Sequence, residues 1–72
     1  MTNNKPLLPA QRKTLLAMVN AGRLSDRDMH WATRMALVSL GYIRMVERFA
    51  SGHAVYSITR AGRIALATAV AA

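Results

Sequence analysis

Residues Ala54–Leu66 read AVYSITRAGRIAL, and they decide how the rest of the chain can fold. Val55, Tyr56, Ile58 and Thr59 are β-branched or aromatic, which suits a half-buried strand. Thr59 offers a hydroxyl where the pattern changes, the position of a helix N-cap. From Arg60 onward Ala61, Ala65, Leu66 and Ala69 return at helical spacing. A strand therefore passes straight into a C-terminal helix, expected over about Arg60–Ala69. Gly62 lies on the first turn and has no Cβ, so this helix can sit close on whatever lies beneath it. Such a strand needs a partner, and Ile43–Phe49 supplies one across a turn at Ser51-Gly52.

Along Ile43–Phe49, Ile43 and Met45 are expected to face inward and Arg44 outward. The alternation degrades at Glu47-Arg48, where the hairpin leaves the core; Ala50–His53 forms its tip, and Tyr56 and Ile58 share the core face. Upstream, Pro9 takes the first position of a helix over Pro9–Asn20, with Leu8 placed to fold back as a staple. Its expected buried stripe is Leu15, Met18 and Val19, with Leu8 and Leu16, and Ala21-Gly22 ends it. Between Ser25 and Leu40, Ser25 or Asp26 can cap a helix, and Asp26 and Asp28 suit its first turn. Trp31, Met35 and Val38 recur at i, i+4, i+7 and are expected in the core; Leu37 and Leu40 add a second apolar row. The segment accommodates either one continuous helix or a short helix that breaks near His30–Ala32, with Thr33 capping the next. Gly41 caps the end.

The whole is one small domain over residues 7–72, behind a polar tail, 1–6, expected to be disordered. With 53% hydrophobic residues the chain can fold, and with no cysteine it holds no disulfide or thiolate metal site. No signal-peptide pattern or bilayer-length apolar run is visible, so the expected location is cytoplasmic, away from membranes. The dominant global property is charge: ten Lys or Arg against three acids give +7 and a pI near 11.6. Eight of those ten cations are arginine, the side chain suited to bidentate phosphate and guanine contacts. A compact body with this excess attracts polyanions.

Leu40-Gly41-Tyr42-Ile43, a charged strand, a short turn, and then Tyr56-Ser57-Ile58-Thr59-Arg60-Ala61-Gly62-Arg63 resemble the wing region of MarR-like and related small winged-helix proteins. The resemblance covers roughly Leu37–Leu66 and, more loosely, Pro9–Leu66. It implies a mainly α fold with a small β-hairpin: a winged helix-turn-helix with an abbreviated helix 2 and a C-terminal helix. It also favours the broken over the continuous reading of Ser25–Leu40. The small size, without a sensor domain, is similar to regulators carried by phages and other mobile elements.

Drawn as a helix, Arg27, His30, Thr33 and Arg34 fall on one side, the stripe that a recognition helix offers to the major groove. Arg34 would read guanine, and Thr33 would meet a phosphate or a thymine methyl. On the wing, Arg44, Arg48, Ser51 and His53 would meet phosphates or the minor groove. The same residues also fit an ordinary solvated surface. An enzyme is disfavoured, since no nucleophile–base pair or Gly-rich phosphate loop is present. Asp26, Asp28 and His30 have a possible metal-ligand spacing, but two helix-start acids and a surface histidine explain them as well; no metal or cofactor is expected. The leading expectation is a non-enzymatic, sequence-specific regulator of transcription that binds double-stranded DNA. The alternative is a winged-helix interaction module that binds a host protein or nucleoprotein complex, with Trp31 and Met35–Leu40 as its interface. The last helix carries a second apolar stripe, Ile64, Ala67 and Ala71 with Thr68 between them, expected to pair two copies about a two-fold axis.

Overall fold

The computed structural model describes residues 6–71, with side chains through residue 69 of the last helix. Most of the tail expected to be disordered, residues 1–5, lies outside the described residues. The elements in order are α1 (Pro9–Ala21), β1 (Leu24–Ser25), a 3-10 turn (Asp26–Asp28), α2 (Trp31–Ser39), β2 (Ile43–Arg48), β3 (Ala54–Ile58) and α3 (Arg60–Ala71). The three strands form one antiparallel sheet in the order β1-β3-β2. The expected hairpin is present, but β1 adds a third strand along its free edge, so the architecture is mixed α/β rather than mainly α. Leu24 opposes Tyr56 and Ser25 opposes Val55.

α1 starts as expected at Pro9, with the Leu8 N–H donating to Gln11 Oε1 at 3.0 Å. It ends at Gly22, whose N–H donates to the Met18 carbonyl. Leu15 and Met18 are fully buried and Val19 packs beside them. Leu8 and Leu16, expected in the same stripe, are exposed; Leu7 packs on the core instead. A helix of this size has one face toward the sheet, and Leu16 follows Leu15 by about 100°.

The break inside Ser25–Leu40 is short. Ser25 caps the 3-10 turn by accepting from the Arg27 N–H, Met29 is extended and buried, and His30 rather than Thr33 caps α2. Its Nδ1 accepts from the Ala32 N–H at 3.2 Å. At the other end, the Tyr42 N–H donates to the Leu37 carbonyl and the Gly41 N–H to the Val38 carbonyl, with Gly41 at φ +76°. That pair of hydrogen bonds is a Schellman ending, and it brings the side chains of Leu37 and Tyr42 together on the core.

The strand-to-helix junction is a single residue. The Thr59 N–H donates to the Tyr42 carbonyl, its hydroxyl donates to the Gly41 carbonyl at 2.6 Å, and the same oxygen accepts from the Gly62 N–H at 3.1 Å. Gly62 is buried there: a Cβ would overlap the Tyr42 carbonyl oxygen and lie 2.8 Å from Ile58 Cγ1. The core is Leu15, Met18, Met29, Leu37, Ile43, Ile58 and Leu66, flanked by Tyr42 and Tyr56. No helix among the described residues is long and apolar enough to cross a membrane.

Candidate nucleic-acid interface

The four residues expected on one recognition stripe are distributed over two elements. Arg27 is in the 3-10 turn, His30 is the cap of α2, and only Thr33 and Arg34 lie on α2 itself. Thr33 and Arg34 are half-buried, because they flank Leu37, which is fully buried. The outward face of α2 is the one expected in the core. Trp31 is 66% exposed, Met35 49% and Val38 43%. The physical cause is the Schellman ending, which pins Leu37 over Tyr42 and Ile43 and so fixes the rotation of the whole helix. The solvent face of α2 therefore carries no charged side chain, and Arg34 sits at its edge.

Arg27 is tied to the hairpin tip. Its Nε and Nη2 approach His53 Nε2 at 3.1 and 2.6 Å. A guanidinium only donates, so Nε2 accepts and the ring proton is on Nδ1, which donates to Asp26 Oδ1 at 3.2 Å. Asp26 also accepts from the Ser25 hydroxyl and, at Oδ2, from the Ala54 N–H at 3.4 Å. Partial burial pushes the Asp26 carboxyl up, but the hydrogen bonds from Ser25, His53 and Ala54 outweigh it. The net pKa is below its ordinary value. This network fastens the 3-10 turn to the hairpin across β1 and β3. Nothing in the residue types announced it, since 27 positions separate Asp26 from His53.

On the hairpin, Met45 opposes Tyr56 and Glu47 opposes Val55, leaving Val46 as a bulge. The bulge bends the strand, and Met45, expected inward, is exposed, as are Val46 and Phe49. Arg44 and Arg48 are exposed, and Ser51 and Gly52 form the exposed tip, closed by the Phe49 N–H on the His53 carbonyl at 2.8 Å. Glu47 pairs with Arg23 at 3.3 Å, and Arg60 and Arg63 are exposed on α3. Two of the three acids are thus engaged, Asp26 by His53 and Glu47 by Arg23. Among the described residues, no three His, Cys, Asp or Glu side chains are grouped to hold a metal ion. On α3, Gly62 and Leu66 are buried and Ala65 and Ala69 half-buried, while Ile64, Ala67 and Thr68 face solvent; the side chain of Ala71 lies outside the described residues. No protein-family model, curated protein or solved structure matches the chain.

Proposed function

We propose that this chain is a winged-helix-like module that binds double-stranded DNA in the cytoplasm and regulates transcription without catalysing a reaction. The observation that carries the reading is where the charge lies. Arg12, Lys13, Arg23, Arg27, Arg44, Arg48, Arg60 and Arg63 are all exposed, and the acids that could neutralise them number three. The order of elements, with a short strand completing the sheet beside a two-stranded hairpin, is compatible with a winged layout. In this reading Arg44, Arg48 and Ser51 on the hairpin meet the phosphate backbone or the minor groove, with His53 and Arg27 fixing the tip. Arg34 and Thr33, with His30 at the helix start, approach a groove from the edge of α2. Two copies pair through the α3 stripe of Ile64, Ala67 and Thr68, which would set two such surfaces on one duplex.

Selection of bound molecules from random duplexes tests the reading. Enrichment of a defined site supports a sequence-specific regulator. Failure of the protein to retain any duplex over the input contradicts it.

A further inference from the structure

The outward face of α2 is not used by the hairpin contacts above. Trp31, Met35 and Val38 stand at i, i+4, i+7, so they form one continuous stripe about 10 Å long, two helical turns. Ala32 and Ser39, also exposed, complete that face without adding charge. Such a cluster of a tryptophan, a methionine and a valine on a small domain marks an interaction site rather than random exposure.

The occupant follows from chemistry. DNA gains little here, because a groove offers an apolar surface only at thymine methyls and its phosphates need cations. A second copy of this face is the weaker fit, because α2 carries no acid and Arg34 of one copy would find no carboxylate on the α2 of the other. α2 contains no acid, and its one charged side chain is Arg34, beside the stripe. An apolar strip edged by one arginine, on a body of net charge +7, complements an amphipathic helix whose flanks are acidic.

We propose that the outward face of α2 docks an acidic amphipathic helix of a partner protein, anchored on Trp31, Met35 and Val38, with Arg34 facing its carboxylates. The apolar anchors of this proposal take no part in the DNA reading; the two readings share only Arg34. Trp31 is the single tryptophan of the chain, so its emission reports on this face directly. The probe is a synthetic helical peptide with leucines at i, i+3, i+4, i+7 and glutamates elsewhere; a scrambled peptide of the same composition and a duplex DNA serve as comparisons. The expected result is a saturable blue shift of Trp31 emission with the amphipathic peptide, at least about tenfold weaker binding of the scrambled one, and about tenfold weaker binding by Met35→Glu. Met35 is exposed, so an unchanged circular dichroism spectrum should accompany that loss; Met35→Gln, which adds no charge, should weaken binding in the same direction. No shift with the amphipathic peptide, or equal shifts with both peptides, overturns the proposal. So does a shift that follows protein concentration alone, which assigns the face to a second copy, or one produced by duplex DNA only.

Discussion

Gly62 and Asp26 are the single residues on which most of the local geometry turns. Replacing Gly62 by alanine should gain up to about 1 kcal/mol of helix propensity. The new methyl group meets the Tyr42 carbonyl, a backbone atom already bonded to the Thr59 N–H, and cannot push it aside cheaply. Overpacking of this kind costs about 1–3 kcal/mol, so the clash wins and Gly62→Ala should lower the urea midpoint. An unchanged or raised midpoint would mean that α3 does not approach Tyr42 this closely. Asp26 acts through the network to His53 and the Ala54 amide. Its folded-state pKa is lowered, so its stabilising contribution is complete above the unfolded value and is lost as the pH falls through the folded one. Asp26→Asn should therefore be less stable than the parent at neutral pH. The gap should begin to close near the ordinary value of 3.8 and continue closing below it. A gap that is constant down to strongly acidic pH would show that the carboxylate charge is not what Ser25, His53 and Ala54 stabilise.

Among the elements, α2 separates what was legible from what was not. Two apolar rows were visible on it, Trp31-Met35-Val38 and Leu37-Leu40, and the longer, bulkier one was expected inside. The structure buries Leu37 and exposes Trp31. A signal for the right choice was present: Leu37 stands five residues before Tyr42 across Gly41, the spacing at which a Schellman ending joins two apolar side chains. Propensity and periodicity rank faces by hydrophobicity, whereas the helix ending fixes rotation. Leu37→Ala should cost about 2–5 kcal/mol, while Trp31→Ala should fall within about 0.5 kcal/mol of the parent. Thermal or urea denaturation decides this, and the reverse order would restore Trp31 to the core. The strand-to-helix junction at Thr59 and the buried face of α3 were legible because each depends on neighbours in sequence. β1 was not, since two residues give no period and Leu24 and Ser25 become a strand only by pairing with Tyr56 and Val55. The Arg27–His53–Asp26 network was hidden for the same reason: it is a product of tertiary folding.

At the scale of the whole molecule the two open surfaces differ in kind. α3 offers Ile64, 58% exposed, with Ala67 and Thr68, a narrow stripe that suits a helix from an identical copy. Thr68 turns its hydroxyl back to the Ile64 carbonyl at 2.9 Å, so it presents its methyl group without an unpartnered donor. Sedimentation at micromolar concentration should give a dimer mass for the parent and a monomer mass for Ile64→Glu. A parent that sediments as a monomer, or a variant that remains dimeric, removes this pairing. The exposed cations run from Arg12 and Lys13 on α1 through Arg44 and Arg48 on the hairpin to Arg60 and Arg63 on α3, and this exposed net charge, +7 on 72 residues, is the property on which the DNA reading rests. That reading is tested most directly by the affinity for a labelled duplex as a function of salt. Several arginines on phosphates should make log affinity fall linearly with log salt concentration, by about 0.9 for each phosphate neutralised. No binding at low salt, or an affinity that does not change with salt, would contradict it.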